Sequence, residues 1–192
     1  ENIKQFCEPP VVCLNRFLGD DPEEIAVVRK HCEEKLEVPC AVSNVFEEGG
    51  KGGLELAEKV LLHAEKEPQP FRPLYDWNDD VKTKIWKVAS KMYGADEIKY
   101  TQKAERDLKS IEQLGYQNLP VCIAKTPASL SDNPKLRGRP EHFNVTVREI
   151  LIAAGAGFLI PLTGDILRMP GLPKMPQAEK IDLSGNDITG LK

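Results

Sequence analysis

A glycine-rich segment with one lysine, NVFEEGGKGG at residues 44–53, is where the sequence comes nearest to a phosphate-binding loop. A P-loop, GxxxxGK followed by Ser or Thr, needs the lysine for the terminal phosphates and the hydroxyl for magnesium. Lys51 is followed by Gly52 instead, and the segment lacks the dinucleotide-binding pattern GxGxxG. It therefore predicts no nucleotide site. Glycines ahead of a helix could still let a ligand approach the backbone or bind an anion, and a merely flexible loop is the alternative.

Two phenylalanines follow two apolar, β-branched runs and could hold a flat ring between them. Phe17 follows PPVVCLNR, and Phe46 follows VPCAVSNV. If both runs are parallel strands, both rings stand at the carboxyl edge of the sheet, where α/β proteins bind ligands. A ring sandwiched between two aromatics needs their planes about 7 Å apart, a gap that side chains splaying from neighbouring strands could supply. The alternative is that both are core residues, although the polar neighbours Asn15, Arg16 and Glu47 favour the edge.

The sequence offers no second set of side chains with the spacing of a metal site or a catalytic site. There are five cysteines, Cys7, Cys13, Cys32, Cys40 and Cys122, with no CxxC pair, and the three histidines form no recognisable motif. This pattern favours reduced, buried and inert thiols over a disulfide framework or a zinc site. Lys125 and Arg148 are expected to be structural ion-pair partners. We assign no catalytic residue and no metal ligand.

The elements that would position the two aromatics form a predicted βαβα unit over residues 1–66. Residues 9–17 and 38–43 read as strands, because they are short apolar runs rich in β-branched residues. Strand, helix, strand and helix in succession imply a parallel sheet with a right-handed crossover. The fold class predicted for the chain is therefore α/β.

The two helices of this unit have clear periodicity. In the first, Asp21 is a good N-cap and Pro22 suits the first helical position. Its predicted inward face consists of Ile25, Val28, Cys32 and Leu36. The second helix, over residues 54–65, has its predicted inward face at Leu54, Ala57, Val60, Leu61 and Ala64.

Beyond this unit we predict a connector and helical segment over residues 67–120 and a strand-rich and loop-rich C-terminal part over residues 121–192. Gly94 is predicted to close one helix, Thr101 to cap the next and Gly115 to close it, and residues 119–126 are predicted to form a strand. The formal charge of −4 at pH 7 argues against a nucleic-acid partner. The longest apolar run, ILIAAGAGFLIPL, is shorter than the roughly 20 residues of a membrane span.

Several segments together resemble formate–tetrahydrofolate ligase, also called formyltetrahydrofolate synthetase, and most closely its bacterial monofunctional type. The resemblance covers essentially the whole chain. It is carried by VVCLNRF, VSNVFEEGGKGG, LYDWNDDVKTKIWKVASKMYGAD, LPVCIAKTPASLSDNPKLRGRP, the run from FNVTVREI to KMPQAEKID, and ITGL.

The resemblance implies an ATP-dependent ligase that forms 10-formyltetrahydrofolate from formate and tetrahydrofolate in one-carbon metabolism. In this family the pterin ring lies between two aromatics, which correspond here to Phe17 and Phe46, where Phe46 replaces the usual tryptophan and the spacing between the two is one residue longer. Leu18, Val42, Asn15 and Arg16 correspond to positions beside them.

The family's P-loop, of the form TPxGEGKST, does not occur in these 192 residues. The resemblance therefore implies the C-terminal third of the enzyme, inactive alone, with ATP and magnesium bound mainly by the remainder of the enzyme chain. A cytoplasmic homo-oligomer acting on small molecules is expected. The alternative from a different class is a non-catalytic module that binds a ligand or packs against partner subunits.

Overall fold

The structure is a computed structural model, and it describes residues 1–6, 10–66, 70–164, 174–185 and 187–190. It shows a mixed α/β fold with a parallel sheet, as predicted. The predicted strand-and-loop region between residues 165 and 173 lies outside the described residues.

The predicted βαβα unit is present. Strand β1 (Val12–Asn15) and strand β2 (Cys40–Ser43) pair in parallel, with Val12 opposite Cys40 and Asn15 opposite Ser43. Helix α1 (Pro22–Lys30) forms the crossover and continues as a π-helical turn, His31–Lys35. After β2 come a four-residue helix, α2 (Val45–Glu48), a 3-10 turn (Gly49–Gly53) and helix α3 (Leu54–Ala64). The small core of this unit is formed by Cys32, Val38 and Cys40, with Val12, Leu14 and Leu36 packed against it.

The predicted inward faces of the two helices are partly wrong. On α1, Val28 is exposed, and Arg29 takes the half-buried position beside it. On α3 the whole predicted stripe faces solvent: Leu54, Ala57, Val60, Leu61 and Ala64 are exposed. The side of α3 toward β2 carries Glu55 and Lys59 instead, because these side chains bond to backbone groups at the outer edge of β2.

The second part of the described chain is a helix-covered mixed sheet. Helix α4 (Val81–Val88) continues as a π-helical turn, Ala89–Tyr93, and is followed by β3 (Glu97–Tyr100) and α5 (Gln102–Gln113). Strands β4 (Asn144–Ala153) and β5 (Phe158–Thr163) complete the sheet, in the order β3-β4-β5. The β3–β4 pair is parallel, and the β4–β5 pair is antiparallel. Its main core comprises Val81, Ile85, Ala104, Ile111, Val147, Ile150 and Leu159.

Residues 119–126, predicted as a strand, are irregular but still pair with β5. Val121 and Ala124 form parallel bridges to Leu159 and Leu162. A small antiparallel hairpin of β6 (Asp182–Ser184) and β7 (Asp187–Thr189) lies near the end of the described chain. The main core joins residues on both sides of the predicted boundary at residue 120, and the three-part domain division stays a prediction.

The predicted helix ends are confirmed by their hydrogen bonds. Asp21 accepts from the Glu23 amide at 2.7 Å, and Pro22 is the first residue of α1. Thr101 caps α5 by accepting from the Ala104 amide at 3.2 Å. Gly94 and Gly115 end their helices with φ of 79° and 75°, which is left-handed backbone that glycine adopts without strain.

Lys84 is a fully buried lysine in this second core. Its ammonium donates to the carbonyls of Gln117 at 3.1 Å and Leu119 at 3.3 Å, which ties α4 to the loop after α5. Burial lowers the pKa of Lys84, although the carboxylates of the preceding Asp-rich turn act in the opposite sense.

The prediction of buried thiols is half wrong. Cys32 and Cys40 are buried, whereas Cys13 and Cys122 are exposed, and these four are free thiols. Cys7 lies outside the described residues. Burial, reinforced by the neighbouring Cys32 thiol, raises the pKa of Cys40 to about 11. Among the described residues, no helix is both long enough and apolar enough to cross a membrane.

Candidate functional site

The structure brings Phe17 and Phe46 together at the carboxyl edge of the β1–β2 sheet. The two ring centroids are 6.3 Å apart, and the ring planes are inclined by 48°. Their exposed fractions are 44% and 55%, so neither ring belongs to the core. We call the residues around this pair, Asn15 to Leu18 together with Asn44 to Phe46, the aromatic rim.

Phe17 is held by the end of β1 and by a tight turn. The Arg16 amide donates to the Ser43 carbonyl at 2.9 Å, which keeps the chain paired with β2 up to the aromatic residue. The Phe17 amide then donates to Oδ2 of Asp20 at 2.8 Å, and the Asp20 amide returns to the Phe17 carbonyl at 3.1 Å. This turn passes through Leu18, whose side chain is 77% exposed, and Gly19, whose φ is 94°. Asp20 therefore fixes the backbone of the rim, a role that the sequence alone did not reveal.

Phe46 is placed by the short helix α2, which Asn44 organises. The Glu47 and Glu48 amides donate to the Asn44 carbonyl at 3.2 and 3.0 Å. The Asn44 side-chain amide in turn donates to the carboxylates of Glu47 at 3.1 Å and Glu48 at 2.8 Å. Its Oδ1 is buried and accepts no hydrogen bond from the described residues. The sequence alone did not reveal this role of Asn44, because an asparagine that organises a helix looks the same in a sequence as any asparagine in a loop.

Gly52 is the glycine of this segment that a close backbone contact requires. The Asn44 amide donates to the Gly52 carbonyl at 2.9 Å, and a Cβ on Gly52 would come within 2.4 Å of the Asn44 carbonyl carbon and oxygen. The glycine loop folds back onto the end of β2 through direct backbone contact. The expectation that these glycines admit a ligand is therefore wrong at Gly52, where glycine serves backbone packing.

Val42, predicted beside the site, is anchored by a charged network at the outer edge of β2. Its amide donates to Oε2 of Glu55 at 3.2 Å. Arg29 pairs with Oε1 of the same carboxylate, and Lys59 lies 3.2 Å from it. Burial alone would raise the pKa of Glu55, but the Val42 hydrogen bond and the two cations hold that pKa below its ordinary value.

The remaining predicted rim residues take simple positions. Asn15 is the last residue of β1 and is exposed, and Arg16 is half-buried directly before Phe17. Asn15, Arg16, Phe17 and Leu18 thus form one continuous side of the rim, and Phe46 belongs to the other. Val42 lies within β2, before the rim begins.

Lys125 and Arg148 have structural contacts. The Lys125 ammonium donates to the carbonyls of Thr126, at 3.0 Å, and Ser129, and it lies 5.2 Å from the Tyr93 ring centroid. Lys125 forms no ion pair with the described residues, so the predicted ion pair is wrong for this residue. Burial lowers the pKa of its ammonium. Arg148 donates to the Gly164 carbonyl at 3.2 Å and links β4 to the end of β5.

A flat heterocycle could lie between Phe17 and Phe46 only if the two rings rotate from their present orientation. At 6.3 Å and 48° the rings touch each other as a tilted aromatic pair, a geometry that is favourable in itself. A sandwich needs parallel planes about 7 Å apart, roughly twice a stacking distance. Both rings are about half exposed, so rotation of the side chains can open the slot without disturbing a core.

The described residues offer no comparable site for ATP or magnesium. The described ranges contain no group of three or more His, Cys, Asp or Glu side chains arranged to hold a metal ion. The glycine loop, which would have to cradle phosphates, is engaged with Asn44. We therefore derive no phosphoryl chemistry from this chain.

An exposed aromatic pair thus stands at the carboxyl edge of a parallel sheet, which is the edge where open α/β proteins bind their ligands. The family model described as formate–tetrahydrofolate ligase matches residues 1–192, the whole chain. The chain belongs to the formate–tetrahydrofolate ligase family.

Proposed function

We propose that this chain supplies the folate-binding wall of a formate–tetrahydrofolate ligase, with the pterin ring held between Phe17 and Phe46. The observation that carries the proposal is the position of the two exposed rings, 6.3 Å apart, at the end of two parallel strands. The family description names formate and tetrahydrofolate, and in our proposal the enzyme joins them with ATP to form 10-formyltetrahydrofolate.

Each side of the rim contributes differently to ligand binding. Rotation of the two phenylalanine rings toward parallel would exchange their mutual contact for two contacts with the pterin faces. Leu18 and Val42 provide apolar surface beside the ring. Asn15 and Arg16 supply hydrogen-bonding groups next to Phe17, and Asp20 and Asn44 hold the two backbones in register. Aromatic stacking of this kind contributes on the order of 0.5–1.5 kcal/mol beyond area burial.

We further propose that the ATP phosphates and magnesium are bound by a part of the ligase outside these 192 residues. The support is the lack of a P-loop pattern in the sequence. In this proposal the chain corresponds to the C-terminal third of the enzyme. It contributes no catalytic residue, and it works in a cytoplasmic homo-oligomer together with the remainder of its own chain.

Steady-state kinetics of the complete ligase test the folate wall. Phe46→Ala should raise KM for tetrahydrofolate about tenfold, since 1.4 kcal/mol corresponds to a factor of ten. KM for ATP should change little, because the phosphates are bound elsewhere. Phe46→Trp should equal or improve on the parent, since indole offers a larger stacking face.

Phe71→Ala is the matched control. Phe71 is also an exposed phenylalanine in an aromatic pair, stacked on Phe6 with centroids 5.7 Å apart, but it does not follow a strand of the parallel sheet. It should leave KM for tetrahydrofolate unchanged. Equal effects of Phe71→Ala and Phe46→Ala, or an unchanged KM in Phe46→Ala, would contradict the proposal.

A further inference from the structure

The loop that carries Phe46 is tied to the outer edge of β2 at both of its ends. Phe46 lies within residues 43–54, which join β2 to α3. The Val42 amide donates to Oε2 of Glu55 at 3.2 Å, and the Asn44 amide donates to the Gly52 carbonyl at 2.9 Å. Alternate residues of a strand direct their backbone groups to the same edge. These two hydrogen bonds therefore follow one another along that edge and hold the two ends of the loop together.

The Glu55 carboxylate is itself fixed by two cations. Arg29 of α1 pairs with Oε1 of Glu55, and the Lys59 ammonium lies 3.2 Å from the same oxygen. Both cations also donate to the Cys40 carbonyl, Arg29 at 3.4 Å. Although burial acts in the opposite sense, the Val42 hydrogen bond and the charges of Lys59 and Arg29 hold the pKa of Glu55 below its ordinary value, so this carboxylate is ionised at neutral pH. Glu55 thus joins α1, β2 and α3 at one point.

The hydrogen bond from Val42 has a consequence that the ion pairs do not have. The side chains of Arg29 and Glu55 are 34% and 41% exposed, and ion pairs at such exposure contribute little to stability. A backbone amide that donates to a carboxylate forms a stronger, charge-assisted hydrogen bond. Joining the ends of a loop also reduces the number of conformations open to the residues between them. The Val42–Glu55 bond therefore restricts the loop that it encloses, including Phe46.

We propose that Glu55 is a positioning residue for tetrahydrofolate: by closing the loop of residues 43–54, it holds the Phe46 ring beside the Phe17 ring. The proposal rests on the proposed function, because it takes Phe46 as one wall of the pterin slot. Glu55 lies outside the aromatic rim and acts through the loop, without touching the ligand. Phe17 is held separately by Asp20. Loss of the Val42–Glu55 hydrogen bond should therefore displace only the Phe46 side of the slot.

Two conservative substitutions separate the hydrogen bond of Glu55 from its charge. Glu55→Gln keeps an oxygen at the same reach that can accept from the Val42 amide, but it loses the negative charge. Glu55→Asp keeps the charge, but its carboxylate is one methylene shorter and no longer reaches Val42. In the complete ligase, Glu55→Asp should raise KM for tetrahydrofolate about threefold to tenfold, the upper limit being the effect of removing the Phe46 ring. Glu55→Gln should stay within about twofold of the parent, since the acceptor is retained. In both variants kcat and KM for ATP should change little.

Glu33→Gln is the matched control. Glu33 belongs to the same charged network, with its carboxylate 3.3 Å from the Lys59 ammonium. Within the described ranges, however, it forms no hydrogen bond with the backbone of β2. Glu33→Gln should therefore leave KM for tetrahydrofolate unchanged.

The Phe46→Ala background shows whether Glu55 acts through this ring. If it does, Glu55→Asp should raise KM for tetrahydrofolate in the parent ligase but not in the Phe46→Ala variant, because the two residues then contribute to one interaction. A general loss of stability would raise KM by the same factor in both backgrounds. A second readout needs no folate. In the ligand-free chain, Glu55→Asp should weaken the nuclear Overhauser effect between the Phe17 and Phe46 rings, and Glu55→Gln should retain it.

Three results would overturn the role of Glu55. The first is an equal rise of KM with Glu55→Asp in the parent and Phe46→Ala backgrounds. The second is an unchanged effect between the two rings in Glu55→Asp. The third is a Glu55→Gln variant that matches Glu55→Asp, which would assign the role to the charge. An unchanged KM in Phe46→Ala would instead reject the folate wall, and the effect between the two rings would still show whether Glu55 holds Phe46 in place.

Discussion

The two aromatic pairs in this chain differ in the angle between their ring planes. Phe6 and Phe71 stack nearly parallel, with 5° between their planes, whereas Phe17 and Phe46 meet at 48°. The tilted pair stands on backbones that are fixed by Asp20 and Asn44. A rigid backbone beneath exposed, rotatable rings suits a slot that opens for a ligand, because each ring can turn without moving its strand.

Gly52 gives a prediction at the scale of a single residue. Gly52→Ala should destabilise the chain by about 1–3 kcal/mol, because the added methyl overlaps the Asn44 backbone and forces the loop off β2. It should also weaken tetrahydrofolate binding, since Asn44 organises the helix that carries Phe46. Urea unfolding followed by circular dichroism measures the first effect.

Gly50→Ala is the control for this substitution. Gly50 lies in the same loop, but a Cβ there meets no atom within 4 Å. Alanine at this position should be neutral or slightly stabilising, by up to about 1 kcal/mol, through a reduced entropy of the unfolded chain. Equal stability of the two variants would show that the contact with Asn44 is unimportant.

At the scale of the element, the stability that the N-cap of α4 contributes depends on pH through the Asp80 carboxylate. Its carboxylate accepts from the Thr83 hydroxyl at 2.6 Å and from the Thr83 amide at 2.9 Å. These hydrogen bonds hold the pKa of Asp80 below its ordinary value, against a smaller effect of burial. A lowered folded-state pKa means that the stabilisation is fully present above the unfolded pKa of about 3.9 and is lost as the pH falls through the lower folded value.

Asp80→Asn should therefore reduce the loss of stability on acidification from about pH 7 to below the unfolded pKa of about 3.9. Asparagine remains a good N-cap, so the helix itself should persist. Melting temperatures of parent and variant across this range give the comparison. Glu58→Gln, on the exposed side of α3, should leave the acid-induced loss unchanged, and an Asp80→Asn profile that coincides with it would contradict the assignment.

The strands and helix ends of this chain could be predicted because their signals are local. The apolar runs before Phe17 and Phe46 became β1 and β2, and Asp21, Thr101 and Gly94 cap helices as their residue types suggest. The carboxyl-edge position of the two aromatics followed from the strand order alone. Each of these depends on neighbours a few residues away.

The packed face of α3 could not be predicted in this way. Periodicity shows that Leu54, Val60 and Leu61 share a side, but it does not show which side meets the sheet. Glu55 and Lys59 pack inward because the outer edge of β2 offers unpaired backbone groups, and that edge exists only once the sheet is formed. The exposed apolar stripe is a consequence of this long-range requirement.

The site was predictable to a similar extent. Adjacency of Phe17 and Phe46 follows from the βαβα pattern, whereas their 48° inclination depends on side-chain torsions that no sequence motif records. The close approach of Gly52 to Asn44 was hidden for the same reason, since a glycine needed for backbone contact looks like a glycine needed for flexibility.

At the scale of the whole molecule, the proposal that the ATP phosphates are bound outside these 192 residues gives a further prediction. The 192-residue chain should form no 10-formyltetrahydrofolate with saturating formate, magnesium ATP and tetrahydrofolate. The reason is that its sequence offers neither the lysine nor the hydroxyl of a P-loop for the phosphates. Turnover comparable to that of an intact family member would contradict it.

The central claim is that Phe17 and Phe46 take the pterin between them, and NMR of the chain with labelled phenylalanines tests it most directly. On addition of tetrahydrofolate, nuclear Overhauser effects should connect the pterin C6 and C7 protons to both rings, and the direct effect between the Phe17 and Phe46 rings should disappear. The Phe6 and Phe71 signals should remain in place as an internal reference. Persistence of the Phe17–Phe46 contact at saturating tetrahydrofolate, with no effect from the pterin to either ring, would contradict the account.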